Sequence, residues 1–207
     1  MGWTAPPLDP APDSALTGRF AGCLPGGRFG GPLLAFTAVE STQAVCRRLA
    51  EAGAPEGTVV LADYQGAGRG QRGRVWTAPP GSSVLVSCLL RPPLPAGRWP
   101  ELSTVAAAAV VEAVEAAAGV RARVKSPNDV LVADKKLAGV LAEGVVGPGP
   151  FVILGIGINV AQRREEWPHD LVGRAVSLAE LAAEVRREAL LAAVLGRLAA
   201  RYDTFLN

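Results

Sequence analysis

A succession of strand patterns joined by short turns lies between residues 120 and 160, and it restricts the fold more than any other part of the sequence. The predicted strands are 120–125, 129–133, 137–143 and 151–160. The first alternates apolar with basic side chains, as a strand with one buried face does. A turn at Asp134-Lys135 joins the next two into a hairpin. Successive hairpins predict a mixed, largely antiparallel sheet and argue against a dinucleotide-binding fold.

The remaining segments add helices to this sheet. Further strands are predicted at 33–36, 58–61 and 84–90, and helices at 43–52, at 101–118 and from 177 to the C-terminus. Ser41 is a suitable N-cap for the first helix, Gly119 ends the second, and Ser177 with Glu180 forms a capping box for the third. The fold class is therefore α+β, with helices flanking the sheet. We expect an extended Pro/Gly-rich segment at 1–31 and one domain at 32–207.

The stretch 62–76, ADYQGAGRGQRGRVW, alternates glycines with arginines directly after a predicted strand. Glycine lets backbone N–H groups approach a ligand, and closely spaced arginines suit phosphate or carboxylate, so the stretch is a candidate phosphate cradle. Gly68, Gly70 and Gly73 satisfy the dinucleotide fingerprint, but no helix can open in the Pro-containing sequence that follows. An RNA-binding RGG segment or a surface loop without a ligand are the alternatives.

Composition excludes several classes of function. The net charge is +2, so no general attraction to nucleic acid is expected. We find no apolar run of membrane-spanning length and no secretory signal, and we therefore expect a cytoplasmic protein. Three widely spaced cysteines and a single histidine, His169, disfavour disulfides, a metal site and a Ser–His triad. Chemistry must therefore depend on Lys, Arg, Asp, Asn and backbone groups.

Four motifs in this order resemble the catalytic core of biotin–protein ligases, from about residue 33 to the C-terminus. They are Glu40-Ser-Thr-Gln43, the glycine–arginine stretch, Lys125-Ser-Pro-Asn-Asp-Val-Leu with Lys136-Leu-Ala-Gly-Val-Leu-Ala-Glu143, and Gly155-Ile-Gly-Ile-Asn159-Val. The resemblance implies a class II synthetase-like sheet. It also implies a reaction in which biotin and MgATP form biotinyl-5′-adenylate and pyrophosphate, after which biotin passes to a lysine of a biotin carboxyl carrier domain.

The resemblance also implies roles for individual residues. It places Ser41, Thr42, Gln43 and Gln65 at the biotin head group, and Gly68, Arg69, Gly70, Gln71 and Arg72 in a loop over biotin and adenylate. Lys125 would contact the biotin carboxylate and the α-phosphate, which makes Lys125 and Arg69 the predicted catalytic residues. Asn128 and Asp129 would lie in a turn near the nucleotide, Lys136, Gly139 and Gly157 in the pocket walls, and Asn159 at the end of the last motif.

Structural roles stay open for several of these residues. In the alternative interpretation, Ser41 is only an N-cap and Gln65 only makes a hydrogen bond at the end of a strand. Asn128 only shapes the hairpin, Asn159 is an internal hydrogen-bonding residue, and Lys125 is a solvated lysine at a strand end. ATP, Mg²⁺ and biotin would be substrates, with no protein ligands to a metal and no prosthetic group. We expect no DNA-binding helix-turn-helix, no membrane partner, and a monomer or homodimer.

The sequence departs from the family pattern in three ways. Gln71 and Ser126 stand where the family usually has Arg and Trp, so we expect Ser126 to weaken the pocket. The small C-terminal β-barrel domain of the family is not expected within the 207 residues. Two alternative functions follow: a lipoate or octanoate ligase of the same fold, and a degenerate, non-catalytic biotin- or nucleotide-binding module.

Overall fold

The computed structural model, which describes residues 3–181 and 183–207, contains a seven-stranded sheet and a separate two-stranded ribbon. The strands are β1 Leu33–Val39, β2 Val59–Gln65, β3 Gly68–Arg69, β4 Val75–Trp76, β5 Ser83–Leu90, β6 Arg123–Lys125, β7 Asp129–Val132, β8 Lys135–Val145 and β9 Phe151–Asn159. The α-helices are α1 Ser14–Ala21, α2 Thr42–Glu51, α3 Leu102–Ala118 and α4 Arg187–Leu206. None of the described helices is long and apolar enough to cross a membrane.

The sheet order is β1-β2-β5-β9-β8-β7-β6, and β3 pairs only with β4. β1 and β2 are parallel, whereas every other pair in the sheet is antiparallel. The prediction of a mixed, largely antiparallel sheet is confirmed. The turn between β7 and β8 has positive φ at Ala133 and Asp134, which suits a two-residue hairpin loop.

Helices cover both faces of the sheet. On one face α2 packs on apolar side chains that include Phe36, Leu89 and Ile153. On the other face α1, α3 and α4 enclose a larger core that includes Phe20, Val110 and Leu195. Each strand of the central pairs therefore buries side chains on both of its faces, which explains the nearly continuous apolar runs of β5 and β9.

Cys46 on α2 and Cys88 on β5 are buried core residues. Burial, with a smaller effect of Cys88, raises the pKa of the Cys46 thiol well above its usual range. Burial also raises the pKa of Cys88 to about 12. Both thiols therefore stay protonated near neutral pH and do not act as nucleophiles.

The extended segment predicted at 1–31 contains a helix instead, since Ser14–Ala21 form α1. Asp13 caps this helix by accepting a hydrogen bond from the Leu16 N–H at 2.8 Å, which lowers the pKa of the Asp13 carboxyl. Phe20 is buried in the main core. The same segment covers the edge of β1: the Asp13 N–H donates to the Ala35 carbonyl at 2.8 Å, and the Ala35 N–H donates to Thr17 Oγ1 at 3.1 Å.

Two other boundaries differ from the sequence prediction. The capping box of Ser177 and Glu180 is present, but it opens only the short 3-10 turn Ala179–Leu181, and the long helix begins at Arg187. The first predicted hairpin strand is short, because only Arg123–Lys125 pair with β7.

A pair of substitutions in α1 tests its part in the fold. Phe20→Ala should lower the free energy of unfolding by about 3–5 kcal/mol, because it leaves a cavity in the core. Gly18→Ala should raise it by about 0.5–1 kcal/mol, because a helical alanine has less freedom to lose on folding. A methyl group at Gly18 meets no atom within 4 Å. The measurement is chemical denaturation of both variants. An unchanged free energy of unfolding in Phe20→Ala would show that α1 does not stabilise this core.

Candidate active site

A cavity that we call the inner pocket lies on the α2 face of the sheet, where four parts of the fold converge. The N-terminal turn of α2, the end of β2, the β3–β4 ribbon and the middle of β8 and β9 form its walls. Its cavity volume is about 50 Å³, which has room for only a few water molecules. The ribbon or a side chain on it must therefore shift to admit a larger ligand.

A chain of polar groups stands at the α2 end of the inner pocket. Gln65 Oε1 accepts hydrogen bonds from the Thr42 N–H at 2.8 Å and from Thr42 Oγ1 at 3.0 Å. Because that hydroxyl donates its one proton to Gln65, the Ser87 hydroxyl, 2.8 Å away, is the donor to Thr42. With its carbonyl oxygen held in this way, Gln65 keeps its NH₂ group as a donor for a ligand. The buried Ser41 hydroxyl has no hydrogen-bond partner among the described residues.

Glycines on β8 and β9 form the floor of the inner pocket and let a tryptophan lie flat on the sheet. Gly139 and Gly157 are direct partners in the β8–β9 pairing. A Cβ atom at Gly157 would lie 2.7 Å from the Trp76 indole, and one at Gly139 would lie 3.1 Å from it. Any other residue at Gly157 would force the indole away. The indole N–H of Trp76 is buried and has no hydrogen-bond partner within the described chain.

A larger cavity, the outer cleft, adjoins the inner pocket and has a volume of about 620 Å³. Four basic and three acidic side chains line it, namely Arg74, Lys125, Lys136, Arg174, Asp129, Asp134 and Asp170. Two of the acids are paired, Asp129 with Lys136 and Asp134 with Arg123. Neither Arg74 nor Lys125 has an acidic partner within the described residues. The cleft therefore offers unpaired positive charge to an anionic ligand such as a polyphosphate.

The ribbon holds the arginines of the glycine–arginine stretch above the two cavities. Arg69 lines the inner pocket and pairs with Glu143 at 3.5 Å, and Gln43 Nε2 donates to the same carboxylate at 3.1 Å. Arg72 has a left-handed conformation (φ 58°) at the tip of the ribbon and lies on an open hollow beside it. The stretch is thus a short hairpin with a charged tip rather than a shapeless surface loop.

The structure brings most of the predicted site residues together. Those that line the inner pocket are Thr42, Gln43, Gln65, Arg69, Gly70, Gln71, Asn128, Lys136, Gly139 and Gly157. Lys125 and Asn159 line the outer cleft instead, Gly68 and Arg72 lie on the hollow beside the ribbon, and Ser41 is buried beneath the α2 terminus. Exposed Ser126 lines none of the three cavities, so the expectation that it weakens the pocket is not supported.

Two predicted ligand contacts make structural hydrogen bonds. Asn128 Nδ2 donates to the Val140 carbonyl at 2.8 Å, and this bond shapes the hairpin. Asn159 Nδ2 donates to the Lys136 and Val176 carbonyls at 3.3 and 3.2 Å. The side chains of both residues therefore fix the walls of the cavities.

Sequence reasoning missed Trp76 and Ser87 as site residues. Trp76 is the last residue of the glycine–arginine stretch and lines both cavities. Its position in the sequence could have identified it as a site residue, because an aromatic side chain next to a predicted ligand-binding loop can stack on a ligand. Ser87 lies within an apolar strand and became recognisable only when Thr42 was found beside it.

Comparison with known proteins gives concordant matches. The model of the biotin/lipoate A/B protein ligase family matches residues 35–159. The bifunctional ligase/repressor BirA of Bacillus subtilis is 44% identical over 148 residues, which are 70% of this chain and 46% of that protein. The biotin–[acetyl-CoA-carboxylase] ligase of Mycobacterium tuberculosis is 40% identical over 119 residues, 56% of this chain and 44% of that protein. This chain thus spans less than half the length of these relatives.

Among solved structures, the biotin protein ligase of Aquifex aeolicus in complex with biotin and ATP superimposes with a TM-score of 0.73. It is 35% identical, and the match covers 84% of this chain and 71% of that one.

The close contact between Gly157 and the Trp76 indole leads to a specific prediction. Gly157→Ala should displace the Trp76 indole and lower the free energy of unfolding by about 1–3 kcal/mol, the usual cost of overpacking. Tryptophan fluorescence, read against a Trp76→Phe reference, reports the displacement. Gly97→Ala is the matched control, because a methyl group there meets nothing within 4 Å. Unchanged fluorescence and stability in Gly157→Ala would show that the indole does not lie on Gly157.

Proposed function

The chain belongs to the biotin/lipoate A/B protein ligase family, and from that premise we propose that it attaches biotin to a lysine of a biotin carboxyl carrier domain at the expense of ATP. The observation that carries this proposal is a small polar pocket that opens into a larger, positively charged cleft. A biotin head group suits the polar groups of the first cavity once the ribbon or a side chain on it has shifted, and a nucleotide suits the second cavity. The carboxylate and the α-phosphate would then meet where the two cavities join.

The polar chain at the α2 terminus supports biotin as the acid that is activated. The ureido ring of biotin presents two N–H donors and one carbonyl acceptor. Thr42 and Gln65 stand on the wall of the inner pocket with hydroxyl and amide groups able to pair with such a ring. A dithiolane ring, as in lipoate, has no acceptor for the Gln65 NH₂ group and would leave it without a partner, which costs binding free energy.

The proposed reaction has two steps. A biotin carboxylate oxygen attacks the α-phosphorus of ATP, the bond from that phosphorus to the oxygen of the departing group breaks, and pyrophosphate leaves with the electron pair. The carrier lysine, as a free amine, then attacks the acyl carbon, its excess proton is lost to solvent, and AMP leaves. In the first step two anions approach each other, so the protein contributes mainly positioning and positive charge.

Basic residues around the cavities are suited to supply this charge. Arg69 on the ribbon would cover the adenylate, and Lys125 in the outer cleft would contact the α-phosphate and the carboxylate as they meet. The described residues hold no group of three or more His, Cys, Asp or Glu side chains able to bind a metal ion. Mg²⁺ would enter as MgATP, held largely by the phosphate oxygens.

The proposal is tested by ATP–pyrophosphate exchange with the purified protein. Biotin should drive exchange and lipoate should not, and radiolabelled biotin should then pass to an added biotin carrier domain. Exchange driven by lipoate alone would instead identify a lipoate ligase. Tight biotin binding without any exchange would identify a non-catalytic binding module.

Lys125→Ala should slow biotin-dependent exchange by about a hundred- to thousandfold, the usual effect of removing one group that stabilises transition-state charge. Thermal unfolding should change little, because Lys125 is exposed and makes no ion pair within the described chain. Arg121→Ala is the matched control, since it removes an exposed positive charge that lines neither cavity. Near-normal exchange by folded Lys125→Ala would refute the assignment.

Gln71 lines both cavities and carries no charge, so it should hold the adenylate less firmly than an arginine would. A charge-assisted hydrogen bond is worth about 1.5–3 kcal/mol, so Gln71→Arg should slow adenylate escape about ten- to hundredfold. The measurement is the off-rate of preformed biotinyl-adenylate, with labelling of bystander lysines measured alongside. Equal off-rates would show that another residue already supplies this contact.

A further inference from the structure

We infer that Arg187, the first residue of α4, is a positioning residue for the active site, and that its guanidinium group holds together the two ends of the segment that carries the ribbon. This ribbon segment, residues 66–82, leaves the sheet at the end of β2 and returns at the start of β5. The inference rests on the proposed function, in which the ribbon moves to admit biotin and then covers the adenylate. Arg187 itself contacts no substrate.

The two strands that flank the ribbon segment separate before the segment begins. β2 pairs with β5 only as far as Ala62 and Leu85, and β3 and β4 pair only with each other. Beyond Ala62, the Gly81 N–H joins the two ends by donating to the Asp63 carbonyl at 2.9 Å. The separation of the two ends therefore depends on local contacts and not on continued strand pairing.

Arg187 contacts both ends of the ribbon segment. Its Nη1 atom donates to Asp63 Oδ1 at 2.7 Å and to the Ser83 carbonyl at 3.3 Å. Its Nη2 atom would lie 3.9 Å from a Cβ atom at Gly81. A guanidinium group presents several donors in fixed directions, so this one side chain can bind the end of the outgoing strand and the start of the returning strand together.

The ion pair between Arg187 and Asp63 is largely shielded from water. The two side chains are 13% and 24% exposed, and Arg187 Cζ lies 5.6 Å from the centroid of the Phe20 ring. Asp63 has no second basic partner within the described residues. Loss of Arg187 would leave this carboxylate without its counter-charge in a partly buried position, which is unfavourable. The carboxylate would then move towards water, and the two ends would separate.

Helix formation does not explain an arginine at this position, because a positive charge in the first turn of a helix opposes the helix dipole. Arg187, Asp63 and Ser83 also line none of the three cavities described above. A ligand can therefore rearrange the contacts of Trp76 and Arg69 with the sheet while the ends of the ribbon segment stay held. The ribbon would then close to one position, with Arg69 over the adenylate.

Trypsin measures how often the ribbon segment opens, because it cleaves after arginine and needs a locally unfolded chain. In Arg187→Met, cleavage within residues 69–74 should be about ten- to hundredfold faster than in the unchanged protein, as expected for loss of a charge-assisted hydrogen bond. Cleavage after exposed Arg121 should stay within about twofold, because that site opens independently. Arg186→Met is the matched control, since it removes the adjacent, mostly exposed arginine and should change neither rate.

Asp63→Asn tests the same contact from the other side and serves if Arg187→Met does not fold. It should speed cleavage within 69–74 by about three- to tenfold, because a neutral amide oxygen still accepts a weaker hydrogen bond. Added to Arg187→Met it should not speed cleavage further, because two changes to one contact are not additive.

Kinetics separate positioning from chemistry. Arg187→Met should raise the KM for biotin in pyrophosphate exchange about ten- to hundredfold, because a smaller fraction of the protein has the ribbon closed. Exchange at saturating biotin should stay within about threefold of the unchanged protein, because excess ligand restores the closed state.

Equal acceleration of cleavage within 69–74 and after Arg121 would show a general loss of stability and would overturn the assignment of Arg187. Unchanged cleavage within 69–74, additive effects of the two substitutions, or slower exchange at saturating biotin with an unchanged KM would also overturn it. Failure of the proposed function is distinct, because the unchanged protein would then show no biotin-dependent exchange, whereas the cleavage test needs no biotin.

Discussion

The pairing of β8 with β9 sets Gly139 opposite Gly157 on the α2 face of the sheet, and the candidate site depends on the room that this pairing creates. Because neither glycine has a side chain, the Trp76 indole and the Lys136 ammonium group pack against the backbone there. A shift of the register by one residue would turn Ala138 and Ile158 to this face and fill the pocket. The buried apolar side chains on the opposite face hold the register in place.

Around this floor the fold places groups of different chemistry at opposite ends. The neutral donors and acceptors of Thr42, Gln65 and Ser87 stand beneath the α2 terminus, where they are largely shielded from solvent. Positive charge lies towards the open side, on the ribbon and in the outer cleft. This separation suits a ligand with a neutral, hydrogen-bonding ring at one end and an anionic group at the other.

The sequence predicted the sheet well because its hairpins are local. Turn residues such as Asp134 and the apolar alternation around them determine strand pairing over a few residues. Prediction from the sequence was wrong where tertiary contacts decide the structure. The composition of 1–31 is that of an extended chain, yet Ser14–Ala21 form a helix, because Leu16 and Phe20 of that helix are buried in the core. The capping box at Ser177 indicates a helix start, but no long helix follows before Arg187.

The site was predictable as a set of residues but not as an arrangement. The motif resemblance selected most of the residues that line the inner pocket, while the contact of Trp76 with Gly139 and Gly157 follows only from the folded register. The most direct test is a crystal structure of the protein with biotin. We expect the ureido ring within hydrogen-bond distance of Thr42 and Gln65, and the carboxylate directed towards the outer cleft. Biotin bound only in the outer cleft, or with its carboxylate towards α2, would contradict this account.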